Sequence, residues 1–302
     1  MNEQGGQEGA WTVARLLGWT REYLQRHGVE SPRLCAEILL AHALGCERIE
    51  LYTRHEYVPP RGALTTFREH VREAAAGRPI AYLTGTKEFF ALPLRVTPDV
   101  LIPRPETEVL VERTIHLVRH SAGAVGSLLD VGTGSGCVAI ALARHLPDVR
   151  IGASDVSEAA LAVARNNATR LGVADRIEFR CGDLLAPWSG SGPFDVIVSN
   201  PPYVAADEAA ALPVTVRDYE PHEALFGGAD GLEVIRRLAT ESPAHLGEGG
   251  HLLIEVAYDQ SPRVRALLDE SGWNAIVAYK DALQFERVIH ARRPAREPRR
   301  HS

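Results

Sequence analysis

The sequence predicts an α/β protein in which a doubly wound, mostly parallel sheet follows a small N-terminal helical domain. Two patterns predict it. From Trp11 to about Gly77, apolar residues recur at spacings of three and four, the period of a helix face. From about Leu101 onward, short apolar runs of strand length alternate with helical patterns, as in a sheet with helices on both faces. The length supports both readings: 302 residues, 45% hydrophobic and 24% charged, suffice for about two domains and a buried core.

The first helices are expected in WTVARLLGWTREYLQRHG, SPRLCAEILLAHALG and RGALTTFREHVREAAAG, each with a glycine near its end. Ser31 before Pro32 reads as an N-cap followed by proline at the first helical position. Between Ile80 and Pro98 the period becomes strand-like, and Phe89, Phe90, Leu92, Leu94 and Val96 flank a proline in a candidate hairpin. The alternating part then runs SLLDVG (strand), CVAIALARHLP (helix), IGASDV (strand), EAALAVARNNATRLG (helix), IEFRCGD (strand) and FDVIVSN (strand). ADGLEVIRRLATESPAHL is expected as a helix before the strand GHLLIEVAY, and WNAIVAYKD with QFERVIHARR as a closing antiparallel pair. The expected boundaries are a helical domain at 1–80, a connecting hairpin and linker at 81–99, the α/β domain at 100–291 and a disordered, Arg- and Pro-rich tail at 292–302.

Thirty-three Lys and Arg against 39 Asp and Glu give a net charge of -6, which argues against nucleic-acid binding driven by bulk charge. Cys35, Cys46, Cys137 and Cys181 lie far apart without metal-ligand spacing, so reduced, buried thiols and no metal site are expected. The polar start MNEQGGQEGA lacks the apolar core of a signal peptide, and no run approaches the roughly 20 apolar residues of a membrane span. A cytoplasmic protein is expected.

The strand SLLDVG leads into Gly132-Thr133-Gly134-Ser135-Gly136 and then a helix, a turn that brings backbone N–H groups to a ligand at the carboxyl edge of the sheet. A dinucleotide fingerprint would need Gly or Ala where Cys137 stands, which weakens an NAD reading. The G-x-G-x-G spacing after Asp130 instead resembles the first motif of S-adenosylmethionine-dependent methyltransferases, although a tight strand-to-helix turn would use the same glycines. Asp155, about 20 residues on, ends the next strand where a carboxylate can accept from a ribose diol; it or Ser157 could equally cap the following helix. Asp183, at the end of the third strand, can accept from an exocyclic adenine amine while Leu184 packs on the base, or it can be a turn residue.

The fourth strand ends in Asn200-Pro201-Pro202-Tyr203. Two prolines remove two donors and stiffen the backbone, so the loop presents carbonyl acceptors, and the Asn side chain adds another. A planar NH2 group carries two donors that would satisfy two such acceptors, with Tyr203 against its flat face.

This tetrapeptide is shared by methyltransferases that modify planar amine nitrogens, of adenine in DNA or of glutamine in proteins. Upstream, RPIAYLTGTKEFFALPLRVTPDVLIPRPETEVLVE resembles the region joining the two domains of the HemK/PrmC family of protein-(glutamine-N5) methyltransferases. The resemblance runs from about Leu34 to Arg292 and includes FGGADGLEVIRRL and RVIHAR; Ala257 departs from the glycine usual there. It implies a Rossmann-like methyltransferase domain with Gly132, Thr133, Gly134, Ser135 and Gly136 as the cofactor loop, Asp155 as the ribose acid, and Asp183 and Leu184 in the adenine pocket. Asn200, Pro201, Pro202 and Tyr203 match the glutamine-binding motif, with Asn200 also beside the cofactor. The implied methyl donor is S-adenosylmethionine and the implied substrates are class I peptide chain release factors, modified on the glutamine of a Gly-Gly-Gln loop. The helical domain at 1–80 is then expected to recognise the protein substrate; the segment Ile102-Pro103-Arg104-Pro105-Glu106-Thr107-Glu108 either overlies the pocket, with Arg104, Glu106 and Glu108 as candidate contacts, or its acids support the N-terminus of the next helix.

An amide nitrogen is a weak nucleophile, so the site is expected to orient and polarise rather than to supply a strong base; none of the 12 histidines is assigned as catalyst. A DNA adenine-N6 methyltransferase would flip its base into the same motif, but it would need a basic duplex-binding surface, and the only dense basic run is the tail. A non-catalytic S-adenosylmethionine-binding module is disfavoured by the intact tetrapeptide. Neither direct nucleic-acid binding nor membrane association is expected.

Overall fold

A computed structural model describes residues 10–121 and 123–293; the start of the chain and the expected tail from Pro294 onward lie outside the described residues. Two compact units emerge. One comprises the described residues up to Gly85 together with Val214–Tyr219, the other Thr86–Pro213 and the described residues from Glu220.

The helical unit contains α1 (Val13–Arg26), α2 (Pro32–Leu44), α3 (Arg48–Thr53), α4 (Arg61–Ala75) and α5 (Ile80–Thr84). Thr12 caps α1 by accepting from the Arg15 N–H at 3.3 Å. Ser31 stands at the N-cap of α2 with Pro32 at the first helical position, as expected, but its φ of 48° is left-handed and its side chain makes no capping bond. The short helices α3 and α5 were not expected, because five or six residues are too few to show a period. The apolar stripes of α1, α2 and α4 meet in a core that includes Leu24, Leu39, Leu40, Phe67 and Val71. Val214–Tyr219, far along the chain, joins this unit: the Tyr219 hydroxyl donates to the Ala76 carbonyl at 3.4 Å.

The second unit begins with the hairpin β1 (Thr86–Phe89) and β2 (Leu92–Arg95), paired antiparallel. There follow α6 (Glu108–His120), β3 (Ser127–Val131), α7 (Cys137–His145), β4 (Arg150–Asp155), α8 (Glu158–Arg170), β5 (Ile177–Cys181) and β6 (Phe194–Ser199). The one-turn α9 (Val214–Arg217) belongs to the helical unit; α10 (Glu233–His245), β7 (Leu246–Glu255), α11 (Ser261–Glu270), β8 (Asn274–Lys280) and β9 (Glu286–Arg292) complete the order. The seven-stranded sheet has the order β5-β4-β3-β6-β7-β9-β8, parallel from β5 to β7, with β9 antiparallel to both neighbours. Arg292, placed at the start of the tail by sequence, instead closes β9 opposite His251.

Both faces of the sheet are covered, and the strands alternate between two cores. Leu128, Val196, Val198 and Leu253 face a cluster with Ile140 and Leu142, while Leu129, Val131, Ile197, Leu252 and Ile254 face one with Ile235, Leu238 and Trp273. The cysteines are free but not fully buried as expected: Cys35, Cys46 and Cys137 are half-buried and Cys181 is exposed. Among the described residues, no helix is long and apolar enough to cross a membrane.

Candidate active site

The strand order reverses beside β3, since β4 and β5 extend the sheet to one side of it and β6 and β7 to the other. Such a switch point leaves a crevice at the carboxyl ends of the strands. Register aligns those ends: Val131 pairs with Ser154 on β4 and with Ser199 on β6. The Ser199 hydroxyl fastens the join by donating to the Val131 carbonyl at 2.7 Å. A cavity of about 240 Å³ opens there, lined by residues that follow β3, β4, β5 and β6.

Gly132, Gly134 and Gly136 all have left-handed φ values, of 75°, 55° and 81°. The Gly132 and Thr133 N–H groups donate to the Ser154 carbonyl at 2.8 and 2.9 Å, which folds the loop back over β4. At Gly136 a Cβ would stand 3.1 Å from Ala164 Cβ and 3.0 Å from Ile140 Cδ1, so glycine also lets α7 pack against α8. Asp130 braces the turn from beneath. Its carboxylate accepts from the Thr133 hydroxyl at 2.6 Å and the Ala139 N–H at 3.2 Å, and complete burial pushes its pKa up to about 7 despite those bonds.

Asp155 lines the cavity and accepts from the Gly134 N–H at 2.8 Å and the Ser157 N–H at 3.0 Å. It is therefore tied to the glycine loop, while Ser157, accepting from the Ala160 N–H at 3.2 Å, is the residue that caps α8. Burial raises the Asp155 pKa, the two N–H bonds oppose that, and nearby Glu223 adds to it. Two carboxylate oxygens with two lone pairs each leave capacity for a diol. Asp183 and Leu184 line the same cavity, but the Asp183 carboxylate is already forked by Arg237 of α10, at 3.0 and 2.8 Å. Leu184 has a left-handed φ of 45°, and its carbonyl accepts from the Ser154 hydroxyl at 3.1 Å.

Asn200 and Pro202 line the cavity; Pro201 is buried, and neither it nor Tyr203 is among the lining residues. The Asn200 Nδ2 donates to the Thr107 hydroxyl oxygen at 3.1 Å, so its Oδ1 is turned away from Thr107. The loop behind is packed tightly. The Val204 N–H donates to the Leu225 carbonyl and the Gly227 N–H to the Val204 carbonyl, both at 2.9 Å, and Gln260 Nε2 donates to the Tyr203 carbonyl at 2.8 Å. A Cβ on Gly227 would lie 2.5 Å from the Pro202 carbonyl oxygen, and one on Gly231 2.3 Å from the Tyr203 carbonyl oxygen. Burial raises the pKa of the Tyr203 phenol.

Several lining residues escaped the sequence reading, among them Glu223, Val234 and Arg237, and Thr107 was named only as part of the segment that could overlie the pocket. Of the three residues left open in the segment before α6, Arg104 lines the cavity and forms an ion pair with buried Glu220, which also accepts from the Ile102 N–H at 3.2 Å. Glu108 instead accepts from the Phe90 N–H at 2.8 Å and holds the hairpin turn, and Glu106 is not among the lining residues. The first and last glycines of GGADG, Gly227 and Gly231, are a signal in the sequence that backbone closely approaches the Asn-Pro-Pro-Tyr loop.

Known proteins align with both units. Residues 15–85 match the PrmC N-terminal domain family and residues 107–216 the methyltransferase small domain family. A protein of Rhodopirellula baltica named release factor glutamine methyltransferase is 44% identical over 282 residues, covering 92% of this chain and 95% of its own. Proteins of the same name from Chlorobaculum tepidum and Geobacter sulfurreducens are 42% and 39% identical, covering 88% and 93% of this chain and 92% and 97% of their own. Among solved structures, the hMettl16 catalytic domain in complex with the MAT2A 3′UTR hairpin 6 superposes with a TM-score of 0.55 at 17% identity, covering 74% of this chain and 81% of that one. At that identity the likeness is one of fold.

Proposed function

The chain belongs to the release factor glutamine methyltransferase family, and from that membership we propose that it methylates the side-chain amide nitrogen (N5) of the glutamine in the Gly-Gly-Gln motif of class I peptide chain release factors. The observation that carries this reading to the level of atoms is the bonding of Asn200, a residue of the cavity lining whose Nδ2 is taken by Thr107, which leaves Oδ1 as its free acceptor.

The cavity fits S-adenosylmethionine. Asp155 supplies the acceptors a ribose diol needs, Val156 and Leu184 supply apolar walls for a flat base, and the glycine turn at Gly132 and Gly134 keeps side chains out of the way. When bound, the sulfonium supplies an electrophilic methyl carbon. The residues at the mouth then have two tasks: to hold the amide nitrogen in line, and to stabilise the positive charge that develops on it. Asn200 Oδ1 accepting one N–H of the amide, with the Pro201 carbonyl accepting the other, performs both, because a fixed pair of dipoles needs no reorganisation as charge appears. Tyr203 braces the loop through its carbonyl, which accepts from Gln260 Nε2. A strong general base is not required, since an amide methylated on nitrogen and still protonated is a very strong acid. The helical unit adds the surface that recognition of a protein substrate needs, which a side-chain pocket alone lacks. Acting on a translation factor places the enzyme in the cytoplasm.

The test is incubation of purified release factor with S-adenosylmethionine labelled in the methyl group, followed by peptide mapping. Label on the Gly-Gly-Gln glutamine is the expected result; no transfer, or transfer to DNA adenine instead, overturns the reading. Asn200→Ala should lower the single-turnover rate by about 10² to 10³, the usual effect of losing one preorganised electrostatic contact.

A further inference from the structure

A side-chain amide has nearly the same shape in either orientation, so which end of Asn200 faces the cavity is decided by its partners. With NH2 inward, the site would offer donors to a glutamine amide that itself has only donors on nitrogen. The partner that decides is Thr107. It ends the 3-10 turn Pro105–Thr107 that runs into α6, with helical φ and ψ of -66° and -18°, so its side chain is not engaged as a cap. Its hydroxyl accepts from Asn200 Nδ2 at 3.1 Å instead.

A hydroxyl has a single proton, and the buried neighbour that can take it is the Glu255 carboxyl at the end of β7, whose charged form Thr107 favours against a burial that pushes its pKa up to about 7. Glu255 is 1% exposed, and its Oε2 has no hydrogen-bond partner among the described residues. An ionised carboxylate only accepts. It draws the Thr107 proton toward itself, which leaves a lone pair facing Asn200 and makes NH2, rather than Oδ1, the end that can bond there.

We infer that Thr107 and Glu255 are positioning residues that lock the polarity of the Asn200 amide, so that its carbonyl oxygen faces the nitrogen being methylated. The inference rests on the glutamine-methylating reading for its purpose, while the lock itself is a property of the free protein. It also accounts for burying an incompletely partnered carboxylate behind the site, an arrangement that costs stability unless its fixed polarity is used.

The test has two arms, run at pH 8.5 so that Glu255, whose pKa burial lifts to about 7, is ionised. In the first, the side-chain NH2 signals of Asn200, assigned by their loss in Asn200→Asp, are followed in the cofactor-free protein. Slow hydrogen exchange is expected in the wild type, and exchange faster by about tenfold or more in Thr107→Val, which keeps the branched shape but removes the hydroxyl. In the second, release-factor methylation is measured. Thr107→Val and Glu255→Gln should each lower kcat by about 10- to 100-fold with the KM for S-adenosylmethionine changed by less than about threefold, and Thr107→Ser should recover most of the loss. Unchanged exchange in folded Thr107→Val overturns the lock whether or not any methylation occurs. Wild-type turnover in Thr107→Val, with the wild type active, overturns its catalytic use. An inactive wild type with the exchange difference intact counts against the substrate reading and leaves the lock standing.

Discussion

Replacing Gly227 by alanine adds one methyl group far from the reacting atoms, yet it should disable the site. The new Cβ would lie 2.5 Å from the Pro202 carbonyl oxygen and 2.7 Å from the Gly231 carbonyl oxygen. Ordinary contact begins near about 3.4 Å, so the overlaps are about 0.9 and 0.7 Å against two backbone walls that cannot swing aside like a side chain. Gly227 cannot retreat either, because its N–H donates to the Val204 carbonyl and its carbonyl accepts from the Glu233 N–H, each at 2.9 Å. Relief must come from moving the Pro202 peptide, which displaces Asn200 and Pro201 by a large part of an ångström. A misplacement of about 1 Å at a reacting centre costs about 10²-fold in rate, and the overpacking costs about 1 to 3 kcal/mol of stability. Single-turnover methylation of release factor at saturating S-adenosylmethionine is the assay, with thermal unfolding to confirm the fold and calorimetry to follow cofactor affinity. Affinity should change by less than about threefold, because the glycine turn after β3 is untouched. A folded Gly227→Ala enzyme with a rate within about threefold of wild type would refute the claim that the Pro202 peptide must be held where it is.

The remaining predictions concern the two aspartates that hold the glycine turn. Asp155→Ala removes the acceptor offered to a ribose diol and releases the Gly134 N–H, so S-adenosylmethionine affinity measured by calorimetry should fall by about 1.5 to 3 kcal/mol, the range for a hydrogen bond to a charged group; unchanged affinity would take Asp155 out of the site. Burial raises the Asp130 pKa from the ordinary 3.8 to about 7, so between those values the folded state binds a proton that the unfolded state does not. Its contribution to stability is fully present below pH 3.8 and is lost as the pH rises through about 7, by at most about 4 kcal/mol at about 1.4 kcal/mol per pH unit. Asp130→Asn keeps an acceptor for Thr133 but cannot ionise, so denaturant unfolding of the cofactor-free variant should show a shallower decline of stability from pH 4 to 8 than the wild type. Equal slopes would mean that Asp130 titrates normally.

Much of the α/β unit was legible because its signals are local. Strands such as SLLDV and FDVIVS carry short apolar runs, as strands with both faces covered do, and the turns between them carry their own glycines and prolines. The position of the site was legible for the same reason, since a glycine turn, an acid about 20 residues later and a rigid Asn-Pro-Pro-Tyr loop can each be read within one stretch of chain. The illegible features are pairings over distance. Asn200 and Thr107 are 93 residues apart, Asp183 and Arg237 54, and Arg104 and Glu220 116. No period or spacing along the chain encodes which threonine an asparagine will meet. The missing Ser31 side-chain bond has a related cause: Ser-Pro is a sound signal for where a helix starts, but whether the serine oxygen reaches a backbone N–H depends on a φ that the approaching chain imposes.

The difference matters for function because the long-range pairings decide charge and polarity, while the motifs decide only place. Asp183 shows this for an acid. Its position at the end of β5 could be read from sequence, but Arg237 takes both carboxylate oxygens in a fork, so any further ligand must share a charge already partnered. Asn200 shows it for a neutral group. The tetrapeptide places an amide at the sheet edge, and an amide there could donate to a ring nitrogen or carbonyl as readily as accept from an NH2 group. Only the chain from Asn200 through Thr107 to Glu255 selects acceptance. A substrate nitrogen carrying two hydrogens fits that selection, and one lacking them does not, so the preference for an NH2 group is written in a threonine and a glutamate that the motif does not contain.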